Sequence, residues 1–309
     1  MAVIVFIAAA VGAQAVTVAA SQPPPPPSYI CPMHPDVVSR VPGTCPRCGM
    51  RLAPADPYDA REFLVHLATA PHAPRAGERT RLRLTVREPR TRAIVRDFVE
   101  VHEKIFHLFV ISQDLEHYDH VHPVQQTDGT FVVDITLPAA GYYRVYADFL
   151  PLGGTPQVVP GALVTAGYAS GLAASLPHLV AETDPLRTAG DMRVSLTLPS
   201  GGLVAGREEK LQYRIIDSAS GEPVTDLEPY LAAFGHTLVL SEDSLHYVHA
   251  HPIELLPEAP GPVYGGPDLT FKALLPRAGR YRIWTQLKRH GNVSTVAFTV
   301  DVKSPAEIR

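Results

Sequence analysis

A chain of 309 residues that is 46% apolar and only 19% charged has enough apolar surface to bury about two real cores beyond any small module. Its net charge of −4 at pH 7 lacks the basic footprint of a nucleic-acid binder and excludes that partner class. All three cysteines lie between positions 31 and 48, so whatever sulfur chemistry the chain has is confined to one short segment.

In chain order, residues 2–13 form an unbroken run of small and apolar side chains, followed by Ala13-Gln14-Ala15 and Val18-Ala19-Ala20, either of which suits a small-residue cleavage site. Residues 1–20 therefore read as a signal peptide or an N-terminal anchor, which predicts an exported protein, periplasmic or extracellular. The run carries no Lys or Arg at its start, which keeps the uncleaved membrane anchor open. Residues 2–20 just reach the length of a bilayer span, although Gln14 and Thr17 count against one. No cysteine follows that would accept a lipid. Residues 21–28 contain five consecutive prolines and are expected to form a semi-rigid polyproline II linker.

The segment 29–53 is the most informative. It places Cys31 and His34 as Cys-x2-His and, after ten intervening residues, Cys45 and Cys48 as Cys-x2-Cys. Four borderline-to-soft ligands at this spacing describe a closed tetrahedral metal site. Gly49 lets the backbone fold back behind Cys48, and Pro32 and Pro46 stiffen the two turns. Met33 and Met50 flank the ligands: their thioethers suit Cu(I) or Ag(I) rather than Zn(II), or they pack a very small core. These residues resemble the heavy-metal-binding domain found near the N-termini of copper and silver efflux adaptors and of some copper-transporting P-type ATPases. The resemblance implies metal binding through Cys31, His34, Cys45 and Cys48, with an efflux or transport protein as a possible partner. Two other readings stay open. One is a purely structural zinc staple, since so short a module cannot fold on apolar burial alone. The other takes Cys45-Pro46-Arg47-Cys48 as a redox dithiol, but no βαβ pattern surrounds it and Cys31 would be left over. The proline linker and residues 53–60 are expected to isolate the knuckle from the rest of the chain.

The remainder is an internal duplication. His107, His117, His120 and His122 recur as His236, His246, His249 and His251, every one at an offset of 129, and Gly77, Leu82 and Asp97 recur as Gly206, Leu211 and Asp226. Downstream, Leu137-Pro-Ala-Ala-Gly141-Tyr-Tyr143 matches Leu275-Pro-Arg-Ala-Gly279-Arg-Tyr281 after a nine-residue insertion placed within 260–267. Each copy shows short strand-like runs bounded by turn residues, such as 81–87, 107–111, 118–122, 131–137, 142–149 and 157–164 in the first. Arg81 and Arg83 alternate with Leu82, Leu84 and Val86, the pattern of a strand with one solvated face. The fold class predicted is mainly β: a small metal-knuckle domain followed by two tandem immunoglobulin-like β-sandwiches, at 60–168 and 188–303. The His-x-His-Pro pattern resembles extracytoplasmic copper-associated sandwich families, including YtkA-like domains.

On a strand, residues i and i+2 share a face, so His120 and His122 stand about 7 Å apart at Cα and can converge on one ion. If residues 112–116 form a hairpin turn, His107 falls opposite His122 and adds a third imidazole. His236, His249 and His251 repeat the arrangement, while His117 and His246 lie nearer the turn and either complete the sets or sit outside them. Imidazole clusters suit Cu(II), Zn(II) or Ni(II), and the absence of Cys and Met from both sandwich motifs argues against an electron-transfer copper site. His66, His72, His102, His178 and His290 read as structural side chains, Tyr118 and Tyr247 as packing residues, and Asp114 and Asp243 as turn-stabilising groups. No nucleophile–base motif, phosphate loop or dinucleotide fingerprint occurs, and a shared hydrolytic base is missing because Val248 stands where the first copy has Asp119. The expectation is a non-enzymatic, extracytoplasmic protein that binds metal ions, with copper ahead of zinc or silver, for buffering, resistance or transfer. The alternative is a structural or adhesion protein carrying a zinc knuckle.

Overall fold

The computed structural model describes residues 28–169, 171, 177–182, 184–257 and 260–308. The signal or anchor segment at 1–20 and the linker up to residue 27 lie outside the described residues. Among those described, no helix is long and apolar enough to cross a membrane.

The knuckle is built on three two-residue strands, β1 (Tyr29–Ile30), β2 (Val38–Ser39) and β3 (Ala53–Pro54), with β1 between the other two. Its interior is Cys31, Cys45 and Cys48, against which Met33, Val37, Met50 and Leu52 pack. So little apolar surface cannot hold a module together without a metal or a neighbour.

The first sandwich has one sheet in the order β4 (Leu64–Ala70), β5 (Arg79–Arg87), β10 (Phe131–Thr136), β9 (Val124–Gln125). The other runs β12 (Gln157–Val164), β11 (Tyr142–Pro151), β7 (His107–Ser112), β8 (Tyr118–Val121), with β6 (Phe98–Val99) paired to the far end of β11. In β5, Leu82, Leu84 and Val86 are buried while the Arg81 guanidinium meets Asp134 across the sheet at 2.9 Å, so the basic run is a solvated, ion-paired strand face.

The second sandwich repeats the plan. One sheet is β13 (Leu186–Ala189), β14 (Met192–Thr197), β16 (Glu208–Asp217), β19 (Asp268–Leu274). The other is β15 (Leu203–Val204), β21 (Asn292–Lys303), β20 (Gly279–Arg289), β17 (His236–Ser241), β18 (Tyr247–Ala250). Pairing is antiparallel throughout except between β15 and β21. The tyrosines aligned by the duplication close equivalent corners: Tyr143 donates to the Ala139 carbonyl at 2.7 Å and Tyr281 to that of Arg277 at 2.9 Å.

The two sandwiches are not beads on a string. Strand β7 is apolar on both faces because it has two cores to serve: Leu108 and Val110 enter the first sandwich, whereas Phe109 and Ile111 enter a third cluster with Leu238, Leu240 and Trp284 of the second copy. Burying side chains of this size contributes about 1.5–3 kcal/mol each, enough to weld the repeats face to face. The contacts are reciprocal. Tyr118 stacks on Trp284 with ring centres 5.1 Å apart, while Tyr146, which aligns with Trp284, donates its hydroxyl to the Ser244 carbonyl at 2.9 Å.

The expected isolation of the knuckle is corrected by these contacts as well. The Arg47 guanidinium pairs with Glu208 of the second sandwich at 2.9 Å, Gly49 abuts Leu255 of the second copy, and the Asp56 amide donates to Gly153 of the first sandwich at 3.2 Å. A proline-rich approach alone would leave a module free, but this module has so small a core that it takes support from both neighbours.

Candidate metal centres

In the knuckle, the backbone of each turn closes on itself: the His34 amide donates to the Cys31 carbonyl at 3.2 Å, and the Gly49 amide to that of Cys45 at 2.8 Å, with Gly49 at φ 74°. This brings Cys31, His34, Cys45 and Cys48 together, with all four ligand atoms within 4.8 Å of one another. The Cys31 and Cys48 sulfurs are 3.6 Å apart, and His34 Nδ1 is 3.7 Å from the sulfurs of both Cys31 and Cys45. A tetrahedral ion with metal–sulfur distances of about 2.3 Å sets its ligand atoms about 3.5–3.8 Å apart, so these separations already match the edges of that polyhedron. Cys31 and Cys48 divide one proton between them: the hydrogen bond from Cys48 pulls the Cys31 thiol well below its usual range, and the same bond pushes Cys48 up. A cation replaces that proton when both become thiolates.

The sandwich histidines converge at one end of the interface between the repeats. Register explains it: Phe109 opposes His120 and Leu238 opposes His249, which extends to His107 opposite His122 and His236 opposite His251. All six share the face occupied by Phe109, Ile111, Leu238 and Leu240, and so point at the other copy. Three ligand atoms from His107, His120 and His122 lie within 4.8 Å of one another, as do those of His102, His236 and His249.

The hydrogen-bond network assigns the tautomers. His107 Nε2–H donates to the Val101 carbonyl at 2.9 Å, leaving a lone pair on Nδ1; His120 Nδ1–H donates to the Gln286 amide oxygen at 2.8 Å, leaving one on Nε2. Those two lone pairs face each other at 3.1 Å. Burial pushes His107 down to about 4 and His120 well below the usual imidazole range, so both are neutral at pH 7 and no proton stands between them. Two nitrogens each about 2.0 Å from one metal would stand about 2.8–3.3 Å apart. The second pair is built alike. His236 Nε2–H donates to the Leu231 carbonyl at 2.8 Å, His249 Nδ1–H donates to the Asp148 carboxylate at 3.2 Å, and His236 Nδ1 meets His249 Nε2 at 3.2 Å. The orienting groups are exchanged between copies: Gln286 of the second holds His120 of the first, and Asp148 of the first holds His249 of the second. Fixing the outer nitrogen so that the inner one presents a lone pair is how metal-binding imidazoles are held. Burial raises the Asp148 carboxyl, but the hydrogen bonds from His249 and Tyr247 outweigh it and the net shift is downward.

His102 belongs here too, contrary to its expected structural role. Its ring lies 4.9 Å from that of His236 and 5.3 Å from that of His249, and both of its nitrogens are buried without a hydrogen-bond partner. It sits at φ 51° beside Glu103 at φ 62°, in a two-residue turn closed by mutual Val101 and Lys104 hydrogen bonds. Left-handed backbone at a non-glycine costs of order 1–3 kcal/mol, which the fold bears to put this ring in the centre. The duplication hid it, because the offset of 129 leads from His102 to Leu231. His122 Nε2 is likewise buried and unpartnered.

His117 and His246 stand outside both triads. They precede Tyr118 and Tyr247 by one residue, so the period of two turns them to the opposite face. His117 meets Asp119 at 3.2 Å and lies against Tyr143, while His246 Nε2 is buried without a partner. Asp114 and Asp243 hold the turns as expected, accepting from the amides of Glu116 at 3.1 Å and Leu245 at 3.0 Å. The knuckle roofs the centre. A cavity of about 340 Å³ runs between Pro32 and Met33 on one side and His102, His107 and His249 on the other.

Comparisons with known proteins agree with this division. The heavy metal binding domain family matches residues 28–55. A copper-transporting P-type ATPase of Rhizobium leguminosarum bv. viciae is 69% identical over 26 residues, which are 8% of this chain and 3% of the ATPase. The solved structures with similar folds include the Escherichia coli adhesin FdeC (15% identical, TM-score 0.25, covering 82% of this chain and 68% of FdeC). They also include fibronectin(III)-like modules of Clostridium thermocellum CbhA (15% identical, TM-score 0.21, covering 79% and 96%). The two sandwiches are matched at residues 61–166 and 187–304 by one further family, so the chain belongs to the family described as domain of unknown function (DUF8832), with a heavy metal binding domain ahead of its two copies.

Proposed function

We propose that this protein is a non-enzymatic, extracytoplasmic copper-binding protein that holds one ion in the thiolate knuckle and further ions in a histidine centre shared by the two sandwiches, for buffering, resistance or delivery to a transport protein. The observation that carries the reading is the His107–His120 pair, two neutral rings whose lone pairs meet at 3.1 Å with no proton to separate them. Buried acceptors facing each other are unfavourable until a cation joins them. Copper is favoured over zinc because soft thiolates and thioethers beside the knuckle suit Cu(I), while the imidazoles suit Cu(II). Export is supported by the apolar run at 2–13 and its small-residue cleavage sites. The absence of a base common to both copies supports binding rather than turnover.

Native mass spectrometry of the full chain loaded with copper tests the reading, together with electron paramagnetic resonance. Cys45→Ser is expected to lose one ion, and the double variant His120→Ala, His122→Ala to lose a nitrogen-ligated Cu(II) signal. A wild-type protein with no nitrogen-ligated Cu(II) would overturn the histidine centre.

A further inference from the structure

The knuckle touches the histidine centre through a sulfur atom. Gly49 runs so close to Leu255 that a β-carbon there would stand 2.6 Å from a leucine methyl, and this close seat carries the next residue, Met50, to the mouth of the centre. Met50 Sδ lies 3.1 Å from His251 Nε2. The other nitrogen of that ring, Nδ1, is 3.3 Å from the carbonyl oxygen of Pro252, which can only accept, so the ring's hydrogen belongs on Nδ1. Nε2 therefore offers a lone pair to a thioether that has nothing but lone pairs to offer in return.

A third donor is at hand. The His102 ring lies 4.9 Å from that of His251 and 4.9 Å from that of His236, and neither of its nitrogens has a hydrogen-bond partner. A cavity of about 370 Å³ lined by Cys48, Met50, His102 and His251 gives room around the three. Methionine has three rotatable side-chain bonds, so its sulfur can move the few tenths of an ångström that a metal–sulfur bond of about 2.3 Å needs.

The geometry points to a soft-cation station, formed by Met50 Sδ, His251 Nε2 and a ring nitrogen of His102, that takes a monovalent copper or silver ion between the knuckle and the His236–His249 pair. It rests on the proposed function, since it links the two sites named there. Thioether and neutral imidazole suit Cu(I) and Ag(I) and reject hard cations. All donors are uncharged, so the station is weaker than the thiolate knuckle and fills after it. Passage is ligand exchange: the ion leaves thiolates for neutral donors without changing oxidation state.

The test uses the full chain labelled at its four methionine methyls with carbon-13 and titrated with Ag(I), which is redox-inert. The Met50 methyl packs against the knuckle cysteines, so its resonance, assigned with Met50→Leu, is expected to move slightly during the first equivalent, which quenches the knuckle thiols, and to shift again and further during the next. In His251→Asn and in His102→Asn, its half-saturation should move to at least tenfold higher Ag(I) while the first equivalent is retained. A Met50 methyl that never shifts after the knuckle has loaded, or that shifts equally in His251→Asn, overturns the station and leaves the proposed function standing. If the knuckle also takes no ion, both fail.

Discussion

The two halves of the histidine centre share a register, a pair of rings meeting at 3.1 and 3.2 Å and a backbone carbonyl holding the first ring, yet they differ in the third ring, His122 against His102, and in the group that orients the second. His120 gives its Nδ1 hydrogen to the neutral amide of Gln286; His249 gives its own to the carboxylate of Asp148, which also accepts from the Tyr247 hydroxyl at 2.8 Å. Asp148 and Gln286 align at the offset of 138 that relates β11 to β20. A carboxylate makes the ring it holds a stronger donor and supplies a countercharge for whatever cation sits beyond. The first half has neutral donors alone, whereas the second has a carboxylate behind one of its rings, which should strengthen its hold on a divalent ion. Duplication supplied the paired rings, and divergence at one position behind them placed an amide in one half and a carboxylate in the other.

The largest expected effect comes from removing the ring between carboxylate and cation. In the metal-free protein, His249→Ala takes from the Asp148 carboxylate one of its two donors and should cost about 2–3 kcal/mol, within the range for a hydrogen bond to a charged group. His120→Ala leaves only a neutral amide oxygen unpaired, for about 1–2 kcal/mol. Urea unfolding of the two variants measures the difference, and equal losses would mean that Asp148 is no more demanding than Gln286.

Much of this was legible before the fold. The constant offset of 129 pairs the histidines, and the period of two puts His120 and His122 on one face, because strand geometry is local and repeats in sequence. What was not legible depends on how the copies meet. The apolar run Leu108, Phe109, Val110, Ile111 shows that β7 is buried on both faces, but not that its second face meets Leu238 and Leu240 of the other copy. His102 has no counterpart in the second copy, so the duplication carries no signal for it. Asp148 and Gln286 carry no signal in the sequence, because each is one of several polar residues on its strand and its partners lie about a hundred or more positions away. Period two also suffices to set His117 and His246 apart from the ligand face.

A more selective change is Asp148→Asn, which keeps the oxygen and removes the charge. The affinity of the second half for Cu(II) should fall about ten- to hundredfold, the usual cost of losing a carboxylate behind a ligand histidine, while the first half is unchanged. Gln286→Glu should move the first half in the opposite direction. Competition titration against a chelator of known affinity reads both, and two halves that respond alike to either change would show that the orienting group does not set their difference.

The smallest expected effect concerns the charged contact between the knuckle and the second copy. Its charged seat is Arg47, which bridges Asp36 within the knuckle at 2.7 Å and Glu208 beyond it at 2.9 Å, with Glu208 shared by Lys272 at 3.1 Å. About a third of the Arg47 and Glu208 side chains remains exposed, so water and salt screen the pair. Such a bridge contributes under about 1 kcal/mol, and Lys272 remains to satisfy Glu208 when the guanidinium is gone. Arg47→Ala should therefore leave the unfolding of both sandwiches and the affinities of both halves unchanged, and speed amide exchange at Cys45 and Gly49, whose hydrogen bonds close the Cys-x2-Cys turn. The effect should shrink further in high salt. Exchange left untouched would assign the seat to Leu255 against Gly49 and to Met50 against His251, the two contacts that carry no charge.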